Sequence, residues 1–274
     1  MQQTRIIMGM PITVEMGSGT FSPESGEKVP DPISLSAVFD YFTYIDKTFS
    51  TYKPDSEMTR INRGELPEGQ WSDDMKIIFM LAEETKRQTG GFFDIRRPPA
   101  AIEPTSDEPH KRAAIDPSGI VKGWAIWKAA QLLESRGVNN FFIDAGGDIQ
   151  TRGMNSEGRP WSIGIKNPLK QNEIVKTIFA STTEGLGVAT SGTYIRGKHI
   201  YNPKTGAPVD DDVASLTIVG PNIYDADRFA TAAFAMGRAG INFIEQLPKT
   251  MRLEGYMIDK DGIATMTTGF EKYT

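Results

Sequence analysis

The spacing of apolar and polar positions changes several times along this chain, and each change marks an element. Residues 6–16 alternate as an opening strand, with Met8-Gly9-Met10 at its start. Over 33–49, Leu35, Val38, Phe39, Phe42, Ile45 and Phe49 recur at helical spacing, the stripe of an amphipathic helix facing the core. STYKPDSEMTRINRG then reads as a turn-rich loop around Pro54 and Asp55. Ser72 or Asp73 caps a second helix through Arg87, which stops at Gly90-Gly91. Residues 96–112, rich in proline and charge, predict an irregular loop. From Asp116 to Gly153 the pattern is turn, helix, the buried strand FFIDA and a second glycine turn. Paired strands are expected at 161–168 and 176–181. Strand, glycine turn and strand follow over 186–206, with a turn at Asn202-Pro203, and then a buried strand at 213–221. Asp225 or Asp227 opens a helix to Gly237, a short helix lies near 239–246, and a terminal hairpin turns at Asp261-Gly262. Helices and strands do not alternate regularly, so the pattern predicts an α+β fold with mainly antiparallel sheets packed with helices. No repeat and no long linker divides the 274 residues, which are read as one domain.

Composition narrows the chemistry. With no cysteine, the chain has no disulfide, no thiolate nucleophile and no cysteine-ligated metal. Its histidines are His110 and His199, too few for a histidine-rich metal centre, so a bound metal would be oxygen-ligated, such as Mg²⁺. A net charge of −5 argues against a nucleic-acid partner. It also means that an anionic ligand must be held by local donors or by a cation. No stretch is apolar for 18 residues, so no membrane span is expected. The given N-terminus shows no leader. That predicts a cytoplasmic protein, or a membrane-anchored or exported one from which a leader has been removed.

Several constellations could carry chemistry. Ser118 can cap the helix of the central unit, Gly119 allows close backbone approach, and Lys122 adds a positive charge one turn in. Together they could form an anion site, or Lys122 could be a plain surface lysine. Gly146-Gly147 could be a second place for backbone to touch a ligand, or only a turn. A phosphate-bearing molecule between the two glycine turns is the first hypothesis. Asp227 and Thr231, four residues apart on one helix, could share a hard cation; alternatively the threonine bonds back to its own helix. His199 could be a general base or a structural hydrogen-bonding group. His110 is expected to be solvated. Asp94 and Asp116 could be ligand contacts, caps or loop acids.

In order, the pieces resemble the ApbE family of FAD:protein FMN transferases over nearly the whole chain. MGM is similar to the family's MGT, and STYKPDSEMTRIN to its S-T-Y/W-x-P-x-S-x-L-x-x-I/F-N loop. GGFFDI resembles G-A-F-D-I/P, DPSGIVKGWA resembles D-L-G-G-I-A-K-G-Y-A, and DAGGDI resembles N-x-G-G-E/D-I. VATSGTY, HIYNPKTGAPV and ADRFATAAFAMG follow, like A-T-S-G-x-Y, H-I-I-D-P-R-T-G-x-P-V and A-D-A-L-S-T-A-L-F-V-M-G. Each piece alone is weak, and eight in order are specific.

The resemblance implies a T-fold-related architecture and a transferase. FAD binds as substrate with Mg²⁺ on its pyrophosphate. A threonine or serine hydroxyl of an acceptor flavoprotein, on a D-x-x-(S/T)-G-A-(S/T) type motif, attacks the FMN-side phosphorus, and AMP leaves. By this resemblance Asp227 and Thr231 hold the metal, with the backbone carbonyl of Gly119 as third ligand. Met8, Tyr52, Phe92, Phe93, Asp94, Asp116 and Lys122 fall at FAD-contact positions, and His199 at the histidine that activates the acceptor. Tyr52, Phe92 and Phe93 suit packing against flavin or adenine. The alternatives are an FAD pyrophosphatase, with water in place of the acceptor hydroxyl, and a flavin-binding protein without turnover. The chain departs from the family pattern at Arg96-Arg97-Pro98-Pro99, where T-V-G-P-L is usual, and at Asn202, Pro117 and Val121. Arg228, beside Asp227, is expected to point off the Asp227–Thr231 face.

Overall fold

Antiparallel strands, several of them buried on both faces, build a sheet with a hydrophobic layer on each side. The computed structural model describes residues 1–17, 35–103, 106–107, 113–170, 172–180, 184–192, 200–209 and 212–274. Among them are ten strands: β1 Gln2–Ile7, β2 Met10–Met16, β3 Phe141–Ala145, β4 Asp148–Arg152, β5 Ser162–Lys166, β6 Ile174–Phe179, β7 Leu186–Gly192, β8 Val213–Gly220, β9 Glu254–Asp259 and β10 Ala264–Met266. Six α-helices accompany them: α1 Leu35–Phe49, α2 Glu57–Asn62, α3 Asp73–Gln88, α4 Ser118–Glu134, α5 Ile223–Ala235 and α6 Gly240–Gln246. Eight strands form one sheet in the order β1-β2-β3-β4-β7-β8-β9-β10, and β5 pairs with β6 in a separate hairpin. Every named pairing is antiparallel, as the pattern predicts.

The two faces of the sheet feed two cores. Phe141, Ile143 and Ala145 of β3, Ala189 of β7 and Met257 of β9 pack with α1, α4 and α5. Their neighbours Ile149, Leu186, Val188, Tyr256 and Ile258 pack with Trp161, Ile163, Ile165 and Ile178 of the β5–β6 unit and with Phe270. The period of two along a strand makes this division, and each fully buried large side chain contributes roughly 1.5–3 kcal/mol. No helix among the described residues is long and apolar enough to cross a membrane.

The structure corrects the sequence expectations at several turns and element ends. Residues 6–16 are not one strand. Met8 (φ +56°) and Gly9 (φ +71°) are consecutive left-handed residues that turn β1 into β2 with Ile7 opposite Met10, the two-residue turn whose twist matches a hairpin. The loop after α1 contains α2, capped by Ser56, whose hydroxyl accepts the Thr59 N–H at 3.0 Å. At the head of α5, Asn222 rather than an aspartate is the cap, accepting the Asp225 N–H at 2.8 Å.

Arg228 does point away from the Asp227–Thr231 face, and it works as a strut. Its guanidinium donates to Asp225 at 2.8 and 2.6 Å, to Gln88 at 2.6 Å and to Thr85 at 3.2 Å, and it lies over the Phe229 ring. This ties α5 to α3 through a buried charge whose donors are largely paired. Arg228→Ala is expected to lower stability by about 3 kcal/mol, read from urea denaturation. A change below about 0.5 kcal/mol, the range of a surface substitution, would show that the strut contributes little.

Candidate active site

Two glycines let α4 and α5 meet at backbone distance. A Cβ on Gly123 would lie 2.5 Å from Asp227 Cβ and 2.9 Å from the Ile223 carbonyl oxygen. One on Gly119 would lie 3.0 Å from Thr231 Cγ2 and 3.2 Å from Phe93 Cε2. Gly119 and Gly123 are one turn apart on α4, as Asp227 and Thr231 are on α5, so the two small steps receive the two polar side chains. The Gly123 N–H donates to Asp227 Oδ2 at 2.8 Å. Asp227 is 5 % exposed, and burial pushes its carboxyl up to about 7. The charge of Lys122 and the Gly123 N–H oppose that rise, and the neighbouring Asp148 adds to it.

These residues border a cavity of about 800 Å³. Of the expected site residues, it brings together Phe92, Phe93, Asp94, Asp116, Gly119, Lys122, Gly146, Gly147, Asp227 and Thr231. Met8 and Tyr52 are not among its lining. Met8 occupies the left-handed β1–β2 turn and packs on the core, while Tyr52 is 62 % exposed. His199 and His110 lie outside the described residues. Ile200 and Tyr201, which follow His199, line the cavity.

Several lining residues have other commitments. Lys122 forms an ion pair with Asp148, whose Oδ1 accepts the Thr190 N–H at 3.2 Å. Part of the charge expected to meet an anion is therefore already engaged. Ser118 does not cap α4. Its N–H donates to Asp116 Oδ1 at 3.1 Å, so Asp116 closes that helix end, and Arg97 holds the other Asp116 oxygen at 2.6 Å. Asp94 pairs with Lys86 at 2.7 Å and accepts the Arg96 N–H at 2.8 Å. Phe92 has the Lys204 ammonium 4.0 Å above its ring, and Phe93 is buried against Gly119.

Sequence reasoning misses Arg97, Asp144, Asp148 and Lys166 as site residues, although all of them line the cavity. For Asp144 and Asp148 the motif DAGGDI, whose two acids flank the glycine turn, is the signal that could have found them. Asp144 accepts the Gly147 N–H at 2.7 Å and is pushed up by burial. The described lining therefore holds five carboxylates (Asp94, Asp116, Asp144, Asp148, Asp227) against three cations (Arg97, Lys122, Lys166). A pyrophosphate entering it needs a further cation. Among the described residues, no three acidic or histidine side chains converge as a metal site. A cation here would draw on a carboxylate, a hydroxyl, backbone carbonyl and water, the oxygen donors that Mg²⁺ takes.

The model of the ApbE family matches residues 8–102 and 97–253 of this chain. The FAD:protein FMN transferase of Escherichia coli (strain K12) is 31 % identical over 159 residues, covering 54 % of this chain and 43 % of that protein. The chain thus matches less than half of that relative's length. The FAD:protein FMN transferase of Vibrio cholerae serotype O1 is 27 % identical over 237 residues, 70 % of each chain. The solved flavin transferase ApbE from Vibrio cholerae superposes with a TM-score of 0.80 at 23 % identity, covering 100 % of this chain and 99 % of that one. That likeness shows a shared fold.

The buried carboxyl of Asp227 gives a signed prediction. The ionised form is penalised in the fold, where the group titrates near 7, and not in the unfolded chain, where it titrates near 3.8. Stability of the cation-free protein therefore falls from this group as pH rises from about 4 to about 7. Asp227→Asn removes that slope. Its advantage over the parent should grow across the window to a few kcal/mol near pH 8, read from urea denaturation in the presence of chelator. A variant less stable than the parent at that pH would overturn the assignment.

Proposed function

The chain belongs to the ApbE family, and on that premise we propose that it is a Mg²⁺-dependent FAD:protein FMN transferase acting on a threonine or serine hydroxyl of an acceptor flavoprotein. The observation that carries this reading is the meeting of Thr231 with Gly119 and of Asp227 with Gly123, one turn apart across the α4–α5 contact, at the wall of a cavity whose described lining has an excess of carboxylates. A desolvated carboxyl raised to about 7 is a group that a hard cation would stabilise. In an α-helix the Gly123 N–H ordinarily bonds the Gly119 carbonyl. Its bond to Asp227 lessens the demand on that carbonyl, which favours Gly119 as a ligand alongside Asp227 and Thr231. Mg²⁺ held there would neutralise charge on the pyrophosphate and on the departing AMP.

In the proposed reaction the acceptor oxygen bonds to the FMN-side phosphorus. The bond from that phosphorus to the bridging oxygen breaks, and AMP leaves with that oxygen. The hydroxyl proton passes to His199, in the role that its motif implies. Phosphoryl transfer of this kind depends on positioning and charge neutralisation more than on covalent chemistry. Phe92 and Phe93 offer ring surface near the ligand, Gly146-Gly147 offers backbone approach, and Lys122 remains a cation beside the phosphates while paired with Asp148. Asp94 and Asp116 support the site by fixing its walls rather than by meeting the anion.

A product assay tests the proposal. Protein is incubated with FAD, with and without Mg²⁺, and with and without a peptide carrying the acceptor motif. The expected result is AMP together with a peptide heavier by one FMN unit, dependent on Mg²⁺. AMP with free FMN and unmodified peptide would favour the pyrophosphatase, and FAD binding without AMP a binding module. Asp227→Ala should abolish Mg²⁺-dependent turnover, and full activity of that variant would remove the metal assignment. His199→Ala should slow transfer by about 10²–10⁴ while FAD affinity stays within a few-fold. Lost affinity with unchanged turnover would reverse that role.

A further inference from the structure

One wall of the cavity is a strand seen along its edge. All five residues of β5, Ser162 through Lys166, line the cavity, although alternate residues face opposite sides of the hairpin. A strand can present both of its faces to one cavity when its main-chain edge is the surface turned toward it.

The ladder identifies which groups point there. Ala180 N–H donates to the Trp161 carbonyl at 2.9 Å, and Asn167 N–H donates to the Glu173 carbonyl at 2.8 Å. Trp161 and Asn167 therefore direct their main chain at the β6 side. In an antiparallel pair the direction alternates residue by residue. The irregularity between Ile165 and Lys166 falls where Ile165 pairs with Lys176 and Lys166 with Ile174, so the extra residue is on β6 and the β5 alternation is unbroken. Ile163 and Ile165 thus also point toward β6, while Ser162, Gly164 and Lys166 point their N–H and C=O groups away from it. These same three residues are exposed. Their partners Phe179, Thr177 and Ile174 are exposed too, with Phe179 at 52 % and Ile174 at 50 %.

We propose that the outward edge of β5, which has no strand partner among the described residues, is the docking site of the acceptor, which adds a short extended segment as a third strand beside Ser162, Gly164 and Lys166. This deepens the transferase reading and rests on it. The edge borders the same cavity as Asp227 and Thr231, so a segment bound along it is carried to the place where the phosphate must be met. Main-chain pairing binds extended segments largely irrespective of their side chains, which suits a partner recognised by a motif of small residues. Ile174 folds over Gly164, where a Cβ would lie 2.8 Å from its Cδ1. The Ile174 side chain therefore fills the place that a Gly164 side chain would take, and with Phe179 it gives the exposed face beside the edge an apolar surface. Lys166 at one end of the edge suits the acidic residue of the acceptor motif.

Amide hydrogen exchange and a peptide backbone scan test this. The probe is a peptide of the acceptor motif, with its reactive threonine replaced by valine for exchange and intact for transfer. With FAD present, the valine peptide should slow exchange at the Ser162, Gly164 and Lys166 amides about tenfold or more, the value of one main-chain hydrogen bond. FAD alone should leave them unchanged. N-methylation of the intact peptide should reduce transfer at every second backbone position and spare the positions between. Slowing by FAD alone would assign the edge to the flavin and overturn the proposal, as would unchanged exchange with peptide or a scan without alternation. Transfer with unchanged exchange removes this docking mode and keeps the transferase. Protection of the three amides by peptide without any transfer keeps the docking mode and removes the transferase reading.

Discussion

The contact of α4 with α5 sets the geometry on which everything at the site depends. Two helices packed through ordinary side chains keep their axes 8–10 Å apart. Here Gly119 and Gly123 give up their side chains, so Thr231 and Asp227 press against α4 itself. That closeness buries a carboxylate against a helix backbone and raises its pKa. The cost is met locally by one N–H bond and a neighbouring lysine, and it leaves a site whose chemistry favours a cation.

Electrostatics extends the same logic across the cavity. Its cations are largely committed to neighbouring carboxylates: Lys122 to Asp148 and Arg97 to Asp116. These pairs hold walls in place; they do not create a positive field. Among the described residues, then, a polyanionic ligand meets more carboxylate than cation in this cavity. Arg97 also illustrates how a departure from the family pattern can be structural. Its guanidinium stacks on Tyr201 at 5.3 Å and closes the Asp116 turn at the head of α4.

The main sheet provides the rigid frame. Antiparallel pairing from β1 to β10 fixes the Gly146-Gly147 turn between β3 and β4 at one side of the cavity. The β5–β6 hairpin, held by its buried face through Ile163, Ile165 and Ile178, stands at another. Among the described residues this hairpin does not join the ladder of the main sheet, and the outward main-chain groups of β5 face the cavity.

Periodicity makes α1 and α3 legible in the sequence, because each buries one face at helical spacing, while β8 shows as a buried apolar run and the terminal hairpin by its Asp261-Gly262 turn. The motif order makes the family legible, and the i, i+4 spacing of Asp227 and Thr231 by itself puts both on one helix face. Turn and cap chemistry is harder to read. Met8-Gly9 turns because two successive residues adopt positive φ, and Asp116 rather than Ser118 closes α4 because its carboxylate reaches the helix's first N–H. What only the tertiary structure decided are the long-range meetings: Gly123 with Asp227, 104 residues apart, Lys122 with Asp148, and a strand edge turned to the cavity. Local sequence determines which face of an element is apolar. Which polar groups share a desolvated space depends on how closely the elements pack, and here two glycines on α4 decide that.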